Sequence, residues 1–413
     1  MGNSSEWFKV TKNRKGTVAV IVAISTVVFV GLAAFAIDLS HLFVVRNELQ
    51  NAADAGALAG ARFLYDVNGI TVNPTANIDA FNAAIANRSE KVPVDVHWSG
   101  GNEGDIQRGH WCFATRTFTP NASLLPVNLW NTSRDELDAN PNFINAIRVR
   151  TRREDRPAAS FLAGIFGIKN FVLSTEAIGY IGFAGTLEKF EVDQPIAICS
   201  QSILSSNDEY SCTVGRMINS GQLVAAHETG GWTDYNQVNP CLGGTNASDV
   251  RSLVCGNGNP DPIILGAPVS TNGGQISSAF SKFRDCWASK TGKMMPWKLR
   301  LIVIDCPGNN VGPCEKVAGA VTVNIVWITG EGEDPQYKEA PTRMDNWSNQ
   351  DPDGRVRWNS FASRFLLKNL DNNPAPYGKK SIYFLPDCQT HIPTGRTGGE
   401  NFGILAKIPV LVK

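Results

Sequence analysis

The chain has 413 residues, of which 43% are hydrophobic, so we expect two or three domains with cores of their own rather than a disordered chain. Lysine plus arginine and aspartate plus glutamate number 38 each. A formal net charge of zero supplies no overall field that would attract nucleic acid, and we therefore expect no nucleic-acid partner.

An uncharged apolar run fills residues 17–37. At about 1.5 Å per residue, a helix of that length spans the roughly 30 Å hydrocarbon layer of a bilayer. Basic residues precede the run at Lys9, Lys12, Arg14 and Lys15. By the positive-inside rule we expect residues 1–16 to form a cytoplasmic basic tail, residues 17–37 a single transmembrane helix, and everything after Asp38 to be exported.

A cleaved signal peptide is the alternative, because Ala34-Phe35-Ala36 fits the small-x-small rule for cleavage. However, the run is longer than the roughly 7–15 apolar residues of a usual signal peptide, and the helical pattern continues beyond it. We therefore favour an anchor that is retained.

The helical pattern extends to about residue 64. Residues suited to helix packing recur at alternating spacings of three and four, at Leu42, Val45, Leu49, Ala52, Gly56, Ala59 and Phe63, and Gly60 continues a four-residue series of small residues. This surface could pack on the domain that follows or on another subunit, and the sequence leaves both open. A rod of this length would measure about 72 Å and would lift the exported domains off the membrane.

The segment from Arg14 to Ala61 closely resembles the N-terminal signature of the TadE/TadG-like proteins of the Flp (Tad) pilus-assembly system. The residues that carry the resemblance are Gly16, Asp38, Arg46, Gln50, Asn51 and Asp54. The resemblance implies an anchor in the bacterial inner membrane and a periplasmic domain. It also implies other pilus-assembly or envelope proteins as partners. The small-residue pattern of the N-terminal helix separately leaves a homo-oligomer through that helix as a candidate assembly.

Gly16 differs from a prepilin cleavage site in one respect. Pilin-like members of the system are cut after a glycine that is followed, five residues on, by glutamate, whereas Ile21 stands at that position here. This departure favours a TadG-like protein that stays in the membrane over a processed pilin subunit.

Residues 65–186 are predicted to form an α+β periplasmic domain, with strands at 92–98, 109–119, 146–151 and 172–183. Parts of this stretch resemble the small domain that commonly follows the TadE/TadG-like helix. A basic row could bind lipid headgroups or a polyanion, but acidic residues interrupt it, and we interpret it as the polar face of a strand. The row comprises Arg148, Arg150, Arg152, Arg153 and Arg156.

Residues 187–413 are predicted to form a Cys-rich, β-rich exported domain with strands at 194–199, 298–305 and 318–328. Eight of the nine cysteines lie here without a Cys-x-x-Cys pair, which indicates disulfides formed in an oxidising compartment. Cys306 and Cys314 flank a loop between two predicted strands and are our candidate disulfide. The remaining Cys112 is expected to be a small apolar residue in the core.

Three patterns mimic sites with chemistry, and each is incomplete. Asn349, Asp351 and Asp353 begin like a Ca²⁺ loop, but Ser360 stands where the bidentate glutamate belongs. Cys388 with His391 has the spacing of half a zinc site, and His227-Glu228 lacks the second histidine of a metalloprotease helix. We therefore expect no catalytic residues, no metal and no cofactor.

These patterns predict an α+β protein with a long N-terminal transmembrane helix that continues into the periplasm, an α+β domain and a disulfide-containing β-rich domain. The function they favour is that of a membrane-anchored, non-catalytic component of Flp/Tad-type pilus assembly or an associated secretion or adherence machine. The alternative is an envelope-anchored, adhesin-like module whose C-terminal region recognises a glycan or a protein, which exposed tryptophans would favour.

Overall fold

A computed structural model describes residues 15–66, 71–125, 127–130, 132–204, 210–212, 214–219, 230–238, 241, 243–273, 276–307, 310–330, 336–369 and 371–413. The seven α-helices are α1 (Lys15–Arg62), α2 (Ala76–Ile85), α3 (Arg134–Ala139), α4 (Ser200–Ile203), α5 (Ala247–Leu253), α6 (Ser277–Thr291) and α7 (Gly354–Arg364). Among the described residues, short 3-10 helices also span Ala163–Phe166 and Gln336–Glu339.

The strands of the first half of the chain are β1 (Arg88–Ser89), β2 (Val92–Pro93), β3 (Ile106–Cys112), β4 (Thr117–Pro120), β5 (Ala146–Ala159), β6 (Asn170–Tyr180), β7 (Thr186–Leu187) and β8 (Ile196–Cys199). They are followed by β9 (Met217–Asn219), β10 (Gly230–Thr233), β11 (Ile263–Ile264), β12 (Pro268–Asn272), β13 (Trp297–Asp305) and β14 (Cys314–Ile328). The chain ends with β15 (Arg343–Met344), β16 (Trp347–Ser348), β17 (Ser381–Phe384), β18 (Gln389–Thr390) and β19 (Val410–Leu411).

The long helix predicted from the apolar run is present as α1, a single helix of 48 residues. It ends at Arg62 rather than at about residue 64. The second half of this helix does not stand free, because the turn between β5 and β6 reaches along it and contacts Asp38. The first domain therefore wraps the second half of the helix.

This first domain is built on a five-stranded antiparallel sheet in the order β19-β6-β5-β3-β4. The second half of α1 and the short helix α2 pack on the sheet, and alanines from both helices share a buried core with Ile147, Val149 and Ile106. Small side chains let the two helices and the sheet approach closely. The predicted strand at 92–98 is reduced to β2, and beyond it Asp95 forms an isolated bridge with Arg152 of β5.

The last strand of the chain belongs to the first sheet. β19 pairs antiparallel with β6, Val410 with Tyr180 and Leu411 with Gly179, and Nζ of Lys413 lies 2.6 Å from Oε1 of Glu176. The predicted division into residues 65–186 and 187–413 therefore needs one correction. The C-terminal residues return to the first domain, through a pairing over a sequence distance that no local pattern reveals.

The second domain is centred on a larger sheet, ordered β12-β10-β8-β13-β14-β17-β9. A further pairing of β12 with β14 joins five of these strands into a closed circuit of pairings, which leaves β12 without a long free edge. The central strands β13 and β14 form a long antiparallel pair, and most of their residues are buried. Large side chains of α6 and α7, such as Phe283, Trp287 and Trp358, complete the core.

Four disulfides cross-link this second domain, and the predicted α+β fold with a disulfide-containing β-rich region is confirmed. They join Cys199 with Cys306, Cys212 with Cys388, Cys241 with Cys314, and Cys255 with Cys286.

The predicted disulfide between Cys306 and Cys314 is wrong. Asp305 of β13 pairs with Lys316 of β14, so Cys306 would face residue 315 in this register rather than Cys314. Neighbouring residues of a strand point to opposite faces, which turns Cys314 away from Cys306. Cys314 instead pairs with Ser270 at the β12 edge, and its disulfide partner Cys241 lies in the segment before that strand.

Candidate functional site: the long helix and its docking surface

The first half of α1 is apolar on all sides and, apart from the buried Ala34, largely exposed. Between Val18 and Ile37 the large hydrophobic side chains are at least half exposed, and Val27, at 72%, is the most exposed of them. Among the helices that the structure describes, α1 is the one that is long enough and apolar enough to cross a membrane. A surface of this kind is stable where hydrocarbon replaces water, since every backbone group of the helix is already hydrogen-bonded.

Asp38 marks the end of this largely exposed half. Its carboxylate accepts hydrogen bonds from the backbone N–H groups of Phe161 at 2.8 Å, Leu162 at 3.1 Å and Ala163 at 2.5 Å, and Oγ of Ser160 lies 3.2 Å away. These amides begin the 3-10 helix Ala163–Phe166, and the first N–H groups of a helix have no partner within it. The carboxylate therefore caps the turn between β5 and β6 and fixes it to α1.

An ionic cluster follows one helical turn further on. Nε2 of His41 lies 2.5 Å from Oε1 of Glu90, and the other carboxylate oxygen of Glu90 is 3.0 Å from Nη2 of Arg153. Glu48 accepts the backbone N–H of Glu90 at 2.8 Å. The cluster joins α1, the β1–β2 hairpin and β5 on one side of the helix.

The predicted packing residues of α1 meet the chain's own first domain. Val45, Leu49 and Ala52 are fully buried and share a small core with Val94 and Ala158. Leu42 and Ala59 are half-buried, Gly56 and Gly60 are buried, and Phe63 is 47% exposed. Of the two partners that the sequence left open, the structure contains the intramolecular one.

The glycines of this surface are required by close contact rather than by backbone conformation. A Cβ atom at Gly60 would lie 2.7 Å from Cβ of Ala80 and 2.8 Å from Cδ1 of Ile147. A Cβ at Gly56 would lie 2.9 Å from the carbonyl oxygen of Ala80. The Ala- and Gly-rich half of α1 is therefore a surface shaped for α2 and β5.

The other signature residues have different surroundings. Nε2 of Gln50 donates to Oδ1 of Asp54 at 2.7 Å, along the helix, and lies 3.4 Å from the carbonyl oxygen of Glu176. Arg46 and Asn51 are exposed, and the backbone of Gly16 lies in the first turn of α1. The sequence did not predict that Asp38 caps the turn between β5 and β6. Its signals were an aspartate directly after an apolar run and the small residues of the 160–167 segment.

Four of the five arginines of the β5 row have partnered side chains, and the fifth, Arg156, is exposed. Arg152 forms two hydrogen bonds to the buried carboxylate of Asp105, at 2.9 and 2.8 Å, and Arg150 lies 3.1 Å from Glu176. Hydrogen bonding from Lys413 is the main cause that lowers the pKa of Glu176, and Arg150 adds to it. The row thus stabilises the sheet and its junction with β19.

One cluster in the first domain has the composition of a metal site. His110, Cys112 and Asp138 place their ligand atoms within 4.8 Å of one another. However, both ring nitrogens of His110 lie 2.7 Å from backbone carbonyl oxygens, of Phe143 and Asp138. The Asp138 carboxylate accepts two backbone N–H groups of the β3–β4 turn, and Cys112, which is half-buried, lies 3.4 Å from it. These contacts make the cluster a support for the turn.

The incomplete motifs of the second domain also have structural partners. Asp353 caps α7, and Asp351 and Asn349 cap the turns before it. Cys388 is in a disulfide, and His391 lies 2.8 Å from the buried Glu191. His227-Glu228 lies outside the described residues.

The tryptophans of the second domain are core residues. Trp232, Trp287, Trp327, Trp347 and Trp358 are each no more than 8% exposed, and Trp297 is half-buried. Stacking of a sugar requires an accessible aromatic face, and these six side chains offer none that is fully open. These six tryptophans therefore do not provide the exposed aromatic face that would have favoured glycan recognition.

The helix and the first domain together define a class of protein: one N-terminal helix, apolar and largely exposed in its first half, docked by its second half on an α+β domain. Residues 16–62 match the Flp pilus-assembly TadE/G-like family, and residues 59–178 match the Tad-like Flp pilus-assembly family. No curated protein and no solved structure matches the chain.

Residues 16–178 are thus similar throughout to Flp pilus-assembly families, residues 16–62 to the TadE/G-like one, and the resemblance predicted from the sequence is confirmed for this region. The two matches meet at residues 59–62, where α1 ends, so the family boundary falls inside one structural unit. Most of the second domain lies beyond both matches.

Proposed function

We propose that the protein is a membrane-anchored, non-catalytic component of Flp/Tad-type pilus assembly or of an associated secretion or adherence machine. The observation that carries the proposal is the division of α1 at Asp38. Before Asp38 the large apolar side chains of the helix are exposed on every side and Ala34 is buried, whereas after Asp38 the helix is packed into a domain that matches a Flp pilus-assembly family. We further propose that other pilus-assembly or envelope proteins are the partners of the exported domains.

The same division supports an orientation. Four basic residues precede the apolar run, and four disulfides lie in the domain that follows it. Disulfides persist in an oxidising compartment such as the periplasm, and the positive-inside rule keeps the basic end in the cytoplasm. Both arguments favour residues 1–16 inside and residues 38–413 outside the inner membrane.

A clean deletion tests the pilus role, with complementation by three forms of the full chain. The wild-type chain and Val27→Leu are expected to restore piliation and surface adherence. Val27→Arg is expected to restore neither, because a charge at the centre of a membrane helix costs about 2.5–3.5 kcal/mol of insertion free energy. Normal pili in the deletion strain would contradict the proposal.

Orientation is tested separately, by fusing alkaline phosphatase after residue 64 or after residue 16. The enzyme is active only outside the cytoplasm, so the first fusion is expected to be active and the second inactive. The reverse result would overturn the proposed topology while leaving the pilus role open to the deletion test.

A further inference from the structure

The turn that connects β5 to β6, together with the first three residues of β6 (the 160–172 turn), exposes an unusual amount of apolar surface. Phe161 is 63% exposed, Ile168 is 50% exposed and Val172 is 65% exposed. From Ser160 to Val172 the sequence holds one charged residue, Lys169, which is itself exposed. A soluble turn is normally polar, so this one is adapted to something other than water.

The contacts of Asp38 fix where this turn lies along α1. The backbone of Phe161, Leu162 and Ala163 is hydrogen-bonded to Asp38, the residue directly after Ile37, and the ring of Phe161 contacts the ring of His41 at a centroid distance of 4.6 Å. The turn is therefore held at the level where the helix leaves its apolar run.

The helix supplies more apolar surface at this level. Beyond Asp38, the side chains of Leu39, Phe43 and Val44 are 40%, 57% and 55% exposed. Phe43 lies six residues past Ile37, or about 9 Å along the axis. Exposed apolar side chains of the span are therefore followed by further exposed apolar side chains on the first turns after it and on the 160–172 turn.

We propose that the 160–172 turn is a second membrane contact, which buries Phe161, Ile168 and Val172 in the interfacial layer of the bilayer beside α1. The proposal rests on the proposed function in one respect, that α1 crosses the membrane. Apolar side chains gain free energy by entering the headgroup–acyl boundary, and Lys169 can keep its ammonium group among the headgroups. The first domain then sits on the bilayer surface in a fixed orientation.

The test measures bilayer depth in the full-length chain, reconstituted into phosphatidylcholine–phosphatidylglycerol vesicles that contain brominated lipids. Bromine quenches tryptophan fluorescence at short range, with the bromines placed either near the top of the acyl chains or deep within them. Phe161→Trp is expected to add fluorescence that the shallow bromines quench most strongly. Phe63→Trp, at the far end of α1 with a similarly exposed side chain, is the matched control and is expected to add fluorescence that neither lipid quenches.

A third variant separates this inference from the proposed function. Val27→Trp, in the middle of the apolar run, is expected to be quenched most by the deep bromines. If Val27→Trp is quenched in this way and Phe161→Trp is quenched by neither lipid, the second contact is overturned while the anchor stands, and the exposed turn is left as a surface for a protein partner. If neither variant is quenched, both proposals fall.

The role of Asp38 is tested in the Phe161→Trp background. Asp38→Ala removes the acceptor that holds the turn, and most of the quenching by shallow bromines is expected to be lost. Asp38→Asn keeps one oxygen acceptor and is expected to retain more of the quenching. Equal quenching in all three forms would show that Asp38 does not position the turn.

Discussion

The two domains of this chain are stabilised in opposite ways. The first domain contains no disulfide among its described residues and depends on close packing of small side chains, Gly56 and Gly60 among them, and on ion pairs between strands. The second domain holds four disulfides around a closed circuit of strands. The region matched by the family is thus stabilised mainly by helix packing, whereas the region beyond it is stabilised in addition by covalent cross-links.

The largest effect is expected from removing a disulfide of the second domain. The double variant Cys199→Ser/Cys306→Ser removes a buried disulfide that closes a loop of 107 residues, and a loss of about 2–5 kcal/mol in unfolding free energy is expected. Urea unfolding of the detergent-solubilised chain, followed by tryptophan fluorescence, measures it, because six of the ten tryptophans lie in this domain.

Circular dichroism of α1 in the same samples provides the comparison. The helix signal is expected to persist where the fluorescence transition has already occurred. Cys112→Ser, which removes the one free cysteine, is the matched control and is expected to change the fluorescence midpoint far less. A helix that unfolds together with the second domain would show that the two domains are one cooperative unit.

A smaller loss of stability is expected when the helix packing of the first domain is disturbed. Gly60→Leu forces a side chain into the space held by Ala80 and Ile147, and overpacking of this kind costs about 1–3 kcal/mol. Faster amide exchange in α2 is the measurement, since this helix would be displaced first. Gly164→Ala adds a Cβ that meets nothing within 4 Å, and exchange as fast in that control as in Gly60→Leu would count against the packing argument.

A smaller effect concerns the junction of β19 with the first sheet. The pKa of Glu176 is lowered in the folded chain by Lys413 and Arg150, so its ion pairs stabilise the fold above the usual pKa of 4.5, and that stabilisation is lost as the pH falls below it. Glu176→Gln is expected to weaken the junction by about 0.5–1 kcal/mol at pH 7. Amide exchange at Ile178 and Val412 measures it, and the difference from wild type should disappear near pH 3; a difference that persists there would point to lost packing instead.

The smallest effect is expected from an exposed ion pair of the second domain. Lys189 and Asp261 form an ion pair on the second domain, at 3.0 Å, with side chains that are 53% and 80% exposed. A double-mutant cycle with alanine at both positions is expected to give a coupling below about 0.5 kcal/mol, because solvent screens the pair. A coupling above 1 kcal/mol would mean that surface charge contributes to this domain beside its disulfides.

Features set by local pattern could be predicted from the sequence, and those set by distant pairing could not. The apolar period gave α1, and unbroken apolar runs predicted β13 and β14 to within a few residues. The partners of Cys306 and Cys314 depend on which strands become neighbours, and the expected local disulfide failed for that reason. Asp38 was recognisable as a signature residue, but its role depends on a turn more than 120 residues away.

The pairing of β19 with β6 has a consequence for how this protein is constructed. Tyr180 lies opposite Val410, so that residues 181–409 occupy the place that a tight hairpin loop would fill. The two connecting segments run side by side, with Phe183 bridged to Leu405 and the N–H of Ala184 donating to Ile404. The β-rich domain is thus an insertion in a host domain, attached to it by two adjacent, hydrogen-bonded segments. Replacing it with a short turn would leave every strand of the host sheet with its present neighbours.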